Sequence, residues 1–584
     1  MRRGTSATWG AVAALTIALS GCSLVGGEPE GSGTKSSTGT GAGSETSSSP
    51  EPSQSGSTPG MSVEVFDDAP QEGRDWVVLV EEPADTDRVA DELEQEGLTL
   101  TSTNAAVGMV TLRSEDKDVA ETAEGIDGVE QAVTDRRVGW SPEDPAEPSD
   151  PPTDDSTPAD NRLEPPDPPE DGDPLDGWLW GMEEIDAAGA HPVTTGERDV
   201  RVGVIDTGVD SSHPDLEEAY DEKRSRSFVT DMPDVDGECE HEGCVDPLGT
   251  DDSGHGTHVA GTIAAAANGL GVRGVAPDVG IVDLRAGQDA GLFLLGPTVN
   301  ALTHGAEQEV DVMNMSFYVD PWMYACEGGA PGDSPEQAAA QDVTLELVHR
   351  ALELADEQGV TLVSAAGNNS LDLAEPGTDE SSPNYGDDPR SRTIDPESCE
   401  TLPTDGPHVF GVSSIDEGGS LSSFSNWTSD PSSDDVAVAA PGGSQEEGSL
   451  GILSAAPRSH LQDRGSVDDD GRVTTTGAAT GVVRDCPDGI GVDDADPDGK
   501  CGFYAWLQGT SMAAPHVSGV AALIISANGD RMDPDEVRTT LRSTAADQKC
   551  PSGDDTSGDA TCTGSADRNG FFGDGVVDAA SAVR

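Results

Sequence analysis

The sequence has little lysine and few aromatic side chains. Five of its 584 residues are lysine, and Phe, Trp and Tyr together make up 4%. Basic residues number 31 against 112 acidic residues, so the formal net charge is -81. A chain with this charge is repelled by phosphate backbones, which argues against nucleic-acid binding. An Asp-rich, Lys-poor surface is typical of adaptation to high salt, although a generally acidic proteome would leave the same composition.

Apolar residues are also scarce, at 34% of the chain. This share is low for a chain that folds from end to end, so we expect sizeable stretches to be unfolded. The length by itself allows about two to four folded units, at ~100–200 residues for each unit.

The N-terminus has the pattern of an export signal. Two arginines precede an apolar run, Trp9–Leu19, which is too short to span a bilayer but suits the core of a signal peptide. The segment Leu19-Ser20-Gly21-Cys22 resembles the lipobox of bacterial lipoproteins. The resemblance implies that residues 1–22 are a lipoprotein signal segment and that a lipid on Cys22 anchors the precursor to a membrane. The alternative is an ordinary signal peptide with a cysteine at this position by chance.

The cysteines predict a disulfide framework. Eight remain after Cys22, an even number in a chain that is expected to be exported, and this indicates four disulfides. Many connectivities are possible for eight cysteines. Proximity along the chain suggests three pairs and leaves a fourth: Cys239–Cys244, Cys486–Cys501, Cys550–Cys562 and Cys326–Cys399. Their spacing does not match a zinc site.

Composition divides the rest of the chain into four parts. Residues 23–74 are dominated by Gly, Ser and Thr and predict a flexible tether. Residues 75–138 alternate strand-like and helix-like apolar patterns, which predicts a small α+β unit. Residues 139–177 are rich in Pro, Asp and Glu and indicate an extended, self-repelling linker. In residues 178–584 strand-like runs alternate with helical ones, which favours a mainly parallel α/β sheet covered on both faces.

Three segments of residues 178–584 carry polar side chains at positions suited to chemistry. In VGVIDTG an apolar strand ends in Asp206, and open α/β sheets place their sites at the carboxyl ends of strands. In SGHGTHVAGT, His255 lies between two glycines just before a small-residue helix. In GTSMAAPHVSG, Ser511 begins a helix, where free N–H groups favour a developing negative charge.

Taken alone, each of these residues also fits a purely structural role. A strand-end Asp and a helix-start Ser are common caps. His258, three residues after His255, could form a metal pair with it. No third ligand or HExxH pattern supports such a site, so we interpret His258 as a packed core histidine.

Taken together, the three segments place Asp, His and Ser in the chain order of a subtilisin-type triad. They match the signature blocks of the subtilisin-like (S8) serine proteases, which the chain resembles from about Trp178 to its end. The resemblance implies a three-layer α/β fold with a mainly parallel sheet. It also implies that Ser511 is the nucleophile, that His255 is its base, and that Asp206 orients the imidazole.

The oxyanion hole is predicted from the same resemblance. The segment SAAGN at 364–368 matches the family's oxyanion segment, which implies that the side-chain amide of Asn368 and the backbone N–H of Ser511 bind the oxyanion. Without the family context, a Gly-Asn pair after a strand would indicate only a turn.

Substrate contacts are predicted at the edge of a neighbouring strand. The segment Asn314-Met315-Ser316 matches the family's edge on which an extended peptide pairs, so we expect Ser316, Phe317 and Gly367 to contact substrate. The family usually continues with Leu-Gly-Gly, whereas this chain has Phe317 and Tyr318. These bulky side chains mean that the family's side-chain specificity is not carried over.

The unit at 75–138 resembles the inhibitor-like propeptide of the same family in size, position and βαββαβ order. The resemblance implies that this unit assists folding and blocks the cleft until it is cleaved, so the chain's own propeptide is an expected partner. We expect cleavage within the linker to leave the lipid on the N-terminal side and to release the catalytic domain from the membrane.

One calcium site is suggested by an aspartate repeat. Asp494, Asp496 and Asp498 fit the start of a DxDxDG loop. The twelfth position of that loop is Ala505, where a bidentate Glu is expected, and aspartate is frequent throughout the chain. We predict a structural role for a calcium ion at this loop, because the family resemblance implies no cofactor for catalysis.

These observations favour an exported serine endopeptidase that acts on peptide or protein substrates. Within that class, the alternative to a broad degradative enzyme is a dedicated protease that processes one precursor. An alternative of another class is a non-catalytic surface protein that binds peptides, which the loss of a triad or oxyanion residue would favour. The Ser-Glu-Asp peptidases share a Gly-Thr-Ser segment, but the intact His255 block argues against that group.

Overall fold

The computed structural model describes residues 62–66, 73–135, 166, 168–169 and 172–584, except for short gaps at 234, 240, 242, 320, 382–390, 445–448, 488, 492–494, 497–498, 530 and 552–559. Cys22 and most of the tether and linker segments predicted above lie outside these residues. Where they are described, Val63–Val65 is a strand within the predicted flexible tether, and the 3-10 turn Asp176–Trp178 begins within the predicted extended linker. The described residues belong to one compact unit.

The N-terminal part is a five-stranded antiparallel sheet with two helices. Its sheet order is β1-β3-β4-β2-β5. The elements in chain order are β1 Val63–Val65, β2 Arg74–Val80, α1 Thr86–Gln95, β3 Leu100–Asn104, β4 Met109–Ser114, α2 Val119–Ala123 and β5 Val129–Thr134. The sequence patterns missed β1 altogether, since a three-residue strand leaves no alternating pattern.

The remaining described residues alternate strands and helices. The strands are β6 Arg201–Ile205, β7 Arg226–Ser227, β8 Gly280–Arg285, β9 Val312–Met315, β10 Ala325–Cys326, β11 Thr361–Ala365, β12 Thr378–Asp379, β13 Arg392–Thr393, β14 Cys399–Glu400, β15 Val409–Ile415, β16 Val438–Pro441, β17 Ile452–Ala455, β18 Val483–Cys486, β19 Gly489–Ile490 and β20 Gly502–Leu507. The helices are α3 Trp180–Glu184, α4 Ala187–Ala190, α5 His255–Ala264, α6 Leu295–Glu307, α7 Pro335–Glu357, α8 Arg458–Asp463, α9 Thr475–Ala479, α10 Thr510–Asn528, α11 Pro534–Thr544 and α12 Ala579–Ala582. Short 3-10 turns lie at Pro83–Asp85 and Asp176–Trp178.

Seven of these strands form the central parallel sheet, in the order β16-β15-β11-β9-β6-β8-β7. Alternate residues of each strand face opposite layers. Val202 and Val204 pack with α5 and α10 on one face, whereas Ile205 packs with α6 and α7 on the other. The predicted three-layer α/β fold with a mainly parallel sheet is therefore confirmed.

Helix α10 is long and apolar enough to cross a membrane by length and composition alone. Here it is the central core helix, because 94% of its apolar window is buried inside the protein. Its burial explains why the segment is apolar on all sides.

The N-terminal sheet packs its second face on α6 and α7. Val77, Leu79 and Met109 belong to the same apolar cluster as the residues of these two helices. Polar contacts frame this interface: Asp135 accepts from the backbone N–H groups of Leu295 and Gly296 at 3.1 and 2.9 Å, at the start of α6. A carboxylate is favoured there by the free N–H groups of the helix.

Further hydrogen bonds hold the two parts together at the middle and the far side of the interface. The Asn104 amide donates to Asn300 Oδ1 and Thr303 Oγ1, both at 3.1 Å. Arg350 on α7 donates to the carbonyls of Val80 and Val107 at 3.1 and 3.0 Å. The docking surface therefore combines an apolar cluster with hydrogen bonds from both parts.

All four expected disulfides are present. The pairs are Cys239–Cys244, Cys326–Cys399, Cys486–Cys501 and Cys550–Cys562. Cys326–Cys399 joins the short paired strands β10 and β14, so it links two loops that are 73 residues apart in the chain. Non-reducing peptide mapping of the protein should recover these four pairs and no free thiol among the eight cysteines.

Buried carboxylates make stability fall as the pH rises. Burial raises the pKa of Asp283 to about 8 and that of Asp215 to about 7, from an ordinary value of 3.8. The folded chain therefore holds protons that the unfolded chain has lost, and this contribution disappears as the pH passes through the raised pKa values. We expect the free energy of unfolding to fall by about 2 kcal/mol or more between about pH 6.5 and about pH 9.

Calorimetry of an inactivated chain measures this effect without autolysis. The Asp283→Asn variant keeps the shape of the side chain and should flatten the pH dependence over the same range. A melting temperature that stays constant or rises with pH in the wild-type fold would contradict the expectation.

Candidate active site

Asp206 stands directly after the central strand β6 and is fully buried. Its Oδ1 accepts from the backbone N–H of Thr207 at 2.8 Å and lies 2.8 Å from Nδ1 of His255. The tight turn that follows requires Gly208, whose φ is +124°. A Cβ there would lie 2.4 Å from the carbonyl oxygen of Thr250, so the backbone approach leaves no room for a side chain.

His255 is the first residue of α5, and a buried carboxylate holds the start of that helix in place. Asp251 accepts from Gly254 N at 2.8 Å and from Thr207 Oγ1 at 2.9 Å. Its other oxygen accepts from the N–H and hydroxyl of Thr257 at 2.9 and 2.6 Å. Asp251 therefore joins the strand end at Asp206 to the helix start at His255. Sequence reasoning missed this residue, because nothing distinguishes it from the other aspartates of an Asp-rich chain.

The contact between His255 and Asp206 sets the tautomer of the imidazole. A carboxylate accepts a hydrogen bond, so the proton of neutral His255 lies on Nδ1 and the lone pair on Nε2. Nε2 is then the atom that can take a proton from a nucleophile. The side chain of His255 is 5% exposed and that of Asp206 is 0% exposed, so the pair is shielded from water.

Ser511 is the second residue of α10, which packs against α5. Its hydroxyl donates to the carbonyl of Ser316 at 3.2 Å, and the hydroxyl of Ser316 donates back to the carbonyl of Ser511 at 3.1 Å. Ser316 follows β9, so these bonds tie the helix start to the end of a central strand. Gly509 is the N-cap of the helix, two residues after the end of β20, and its φ of +153° is a conformation that favours glycine.

Asn368 lies on the loop after β11 and contacts the residue next to Ser511. Its Oδ1 accepts from the backbone N–H and the hydroxyl of Thr510, both at 2.8 Å. Because Oδ1 is used in this way, the Nδ2 end of the amide is turned away from Thr510 and can donate to a substrate oxygen. The backbone N–H of Gly367 donates to the same Thr510 hydroxyl at 3.1 Å.

The predicted substrate-contacting residues flank this arrangement. Ser316 and Gly367 adjoin Ser511 and Asn368 through the contacts above. The ring of Phe317 stacks on Phe293, with centroids 4.1 Å apart and planes within 7°, and it is 4% exposed. In this conformation Phe317 is part of the core that faces α6, a position that its place beside Ser316 in the sequence did not reveal.

His258 is a core residue in the structure. It is 1% exposed, and its Nε2 lies 3.0 Å from the carbonyl of Ile452 and 3.2 Å from that of Ala505. Burial lowers the pKa of His258 to about 3. A neutral, buried imidazole bound to backbone carbonyls has a packing role.

Of the predicted calcium ligands, only Asp496 lies within the described residues. It is 5% exposed and accepts from Lys500 N at 3.0 Å and Cys501 N at 3.4 Å. Arg458 lies 3.3 Å from its Oδ2. The carboxylate of Asp496 thus caps the loop that the disulfide at Cys501 closes. Calcium at this loop stays a prediction, since Asp494 and Asp498 are outside the described residues.

A second group of carboxylates, which the sequence did not suggest, surrounds Arg285. Oxygen atoms of Asp231, Asp246 and Asp289 lie within 4.8 Å of one another. The Arg285 guanidinium lies 2.6 Å from Asp246 and 2.5 Å from Asp289, so it supplies a positive charge to the group. Burial raises the pKa of Asp289 to about 8.

Comparison with known sequences identifies relatives that are proteases. A model of the subtilase family matches residues 197–573. Fervidolysin of Fervidobacterium pennivorans is 29% identical over 389 residues, which are 64% of this chain and 41% of fervidolysin. The thermophilic serine proteinase of Bacillus sp. strain AK1 is 28% identical over 370 residues, which are 63% of this chain and 62% of that protein. The chain thus spans less than two thirds of the length of both relatives.

Solved structures share the fold. The epidermin leader peptide processing serine protease of Staphylococcus aureus superposes with a TM-score of 0.56 at 19% identity, covering 88% of this chain and 98% of that one. Fervidolysin superposes with a TM-score of 0.51 at 22% identity, covering 89% of this chain and 62% of that one. Both superpositions extend over most of the described residues.

Proposed function

The chain belongs to the subtilase family, and from this membership we propose that it is an exported serine endopeptidase that hydrolyses peptide bonds through an acyl-enzyme. The observation that carries the proposal is the 2.8 Å contact between His255 Nδ1 and Asp206, made at the start of α5, which packs against the helix whose second residue is Ser511. A protein that merely bound peptides would not need a buried histidine whose tautomer leaves a lone pair on Nε2.

In the proposed mechanism, these residues catalyse a reaction in two steps, acylation and deacylation of Ser511. The Ser511 hydroxyl attacks the substrate carbonyl as His255 Nε2 accepts its proton, and the carboxylate of Asp206 stabilises the imidazolium. The oxyanion that forms accepts from the Asn368 amide and the Ser511 backbone N–H. His255 then gives its proton to the leaving amine, and water repeats the sequence on the acyl-enzyme. The nucleophile, base and oxyanion donors are all protein groups, so this chemistry uses no cofactor.

A mixed peptide library tests the proposal directly. Purified protein should cleave internal peptide bonds, and a fluorophosphonate probe should label it at Ser511. An intact fold that binds peptides without cleaving them would support the non-catalytic alternative instead.

The same library separates a broad protease from a dedicated one. Phe317 departs from the Leu-Gly-Gly of the family, but its ring is buried against Phe293, so this departure does not argue for selectivity toward one precursor. A processing role is favoured only by the fold, which is shared with a protease whose name describes leader peptide processing. Cleavage restricted to one sequence context would favour a processing role, and cleavage at many unrelated bonds would favour a degradative one.

The N-terminal unit acts in this proposal as the inhibitory propeptide. Its apolar docking on α6 and α7, with Asp135 at the start of α6, supports the role. Phe293, Leu295 and Phe317 belong to the same apolar cluster as Val77 and Leu79 of the unit, so the unit shares a core with the segment after Ser316. Removal of the unit would uncover the surface of α6 and α7 on which it docks.

Maturation is expected to detach the catalytic domain from the membrane. A lipid on Cys22 would lie on the N-terminal side of the propeptide, and the catalytic domain begins near Trp178. A cut between the propeptide and the catalytic domain leaves the lipid joined to the catalytic domain only through the non-covalent docking of the propeptide. Fractionation with antibodies against each part should find the wild-type catalytic domain in the medium and the Ser511→Ala chain at full length in the membrane fraction. Active enzyme found only in the membrane at precursor mass would show that release does not occur.

A further inference from the structure

Asn426 lies behind the loop that carries Asn368 and is fully buried. It follows β15 in the chain and sits 58 positions from Asn368, on a separate loop. Its role cannot be read from the sequence, because Asn after Ser is an ordinary loop pattern.

Every hydrogen-bonding group of the Asn426 side chain is used on that one loop. Its Oδ1 accepts from the backbone N–H groups of Asn369 and Leu371, both at 3.0 Å. Its Nδ2 donates to the carbonyl of Ala366 at 2.8 Å. Its own backbone N–H donates to the carbonyl of Gly367 at 2.9 Å. These four bonds bracket Asn368 on both sides and leave its amide unobstructed.

The loop needs such support because its backbone is not part of a regular element. Gly367 has φ +99° and Ser370 has φ +54°, both in the left-handed region. A Cβ at Gly367 would lie 2.5 Å from Nδ2 of Asn426, so the two residues are packed as closely as a glycine allows. Residues in the left-handed region persist where several contacts fix them. Asn426 supplies four hydrogen bonds to this loop, and Ser370 also donates to the carbonyls of Ser423 and Phe424.

We propose that Asn426 is a positioning residue for the oxyanion hole: it holds the 366–371 loop so that the Asn368 amide is aimed at the developing oxyanion. The inference rests on the proposed function. Asn426 touches neither the nucleophile nor the base, and it acts only through the placement of Asn368 and Gly367. The negative charge on the oxyanion develops only during the reaction and is absent from the bound substrate. Loss of the Asn426 side chain should therefore lower kcat and leave KM nearly unchanged.

The test is a set of variants assayed on one peptide substrate. Asn426→Ala should lower kcat by roughly 10–100-fold, less than the ~10²–10³-fold cost of removing an oxyanion donor itself, a magnitude known from subtilisin. Asn426→Asp keeps the acceptor for Asn369 and Leu371 but turns a carboxylate oxygen toward the carbonyl of Ala366, so it should also lower kcat. In the Asn368→Ala background, Asn426→Ala should have no further effect on kcat, since the group it positions is gone.

Asn569 offers a matched control. It is also buried, and its side chain makes four similar bonds to backbone: Oδ1 accepts from Phe571 and Phe572 at 3.1 Å, and Nδ2 donates to Gln548 and Ser565. Asn569→Ala should lower the melting temperature about as much as Asn426→Ala and leave kcat within about twofold of the parent.

Three results would overturn the proposal: an unchanged kcat in both Asn426 variants, a loss confined to KM, or a full additional loss in the Asn368→Ala background. If Asn426→Ala does not fold, the Asp variant and its pairing with Asn368→Ala decide the question at a temperature where both are native. A normal kcat in Asn368→Ala alone would instead refute the proposed oxyanion hole, so the two failures are distinguishable.

Discussion

Replacement of Ser511 by alanine is expected to abolish peptidase activity, with a fall in kcat on the order of 10⁴–10⁶. The variant removes the only atom that can form the acyl-enzyme in the proposed reaction. The hydroxyl's hydrogen bond to Ser316 is also lost, but Ser511 is a short side chain at a helix start, and alanine fits the same space. Peptide hydrolysis and fluorophosphonate labelling should disappear together while the melting temperature stays near that of the parent.

Ser526 provides the control on the same helix. Its hydroxyl is buried and donates to the carbonyl of Ala522 at 2.8 Å, so Ser526→Ala also removes one buried hydroxyl from α10. This variant should keep its activity and its labelling. Wild-type rates of peptide cleavage by the Ser511→Ala protein would refute the proposed mechanism.

Replacement of Asp206 by asparagine is expected to lower kcat by about 10⁴ without disturbing the fold. The asparagine has the same shape as the aspartate. The Thr207 N–H and His255 Nδ1 both contact Oδ1 of Asp206, so an NH2 group turned to that position donates to Nδ1 and gives up the bond from Thr207. The imidazole proton would then lie on Nε2. The base would then hold a proton where it needs a lone pair, and the imidazolium would lack its counter-charge.

Steady-state kinetics of the two Asp variants separate this effect from a general loss of negative charge. Asp210 lies four residues away, and its Oδ1 accepts from the backbone N–H and hydroxyl of Ser212 at 2.9 and 2.6 Å. Asp210→Asn should leave kcat within about threefold of the wild type, since its carboxylate does not touch the imidazole. A similar kcat for Asp206→Asn and the wild type would mean that another group orients His255.

Local sequence patterns located the main elements, because the strands and helices of this fold are long enough to show their periodicity. The apolar runs before Asp206 and Asn368 and the helix after Ser511 appear where the patterns placed them. Short elements without a pattern, such as β1 and the paired strands around Cys326 and Cys399, were missed. Some element boundaries also differ from those that the patterns predict. Helix α5 begins at His255, earlier than its apolar residues indicate, because Asp251 caps a helix start that consists of glycine and histidine.

The N-terminal unit shows that an apolar run does not indicate what covers each face of a strand. Residues 76–80 are apolar without alternation, a pattern that fits a buried strand of any kind. In the structure Trp76, Val78 and Val80 face the unit's own helices, whereas Val77 and Leu79 face α6 and α7. The second buried face exists only because another part of the chain covers it.

The sequence by itself determined which residues we propose as the catalytic triad, because Asp206, His255 and Ser511 lie in long signature blocks whose residue types together indicate one kind of catalysis. It also determined the cysteine pairs that proximity along the chain favours. Only the tertiary structure decided which groups hold that chemistry in place. Asp251 joins the hydroxyl of the distant Thr207 to the start of α5, and Asn426 bonds to backbone atoms of the 366–371 loop. The stacking of Phe317 on Phe293 depends on a helix that begins between their segments. Such contacts use polar and aromatic residues that also occur elsewhere in the chain. Their meaning comes from distances in the fold, which composition and spacing do not contain.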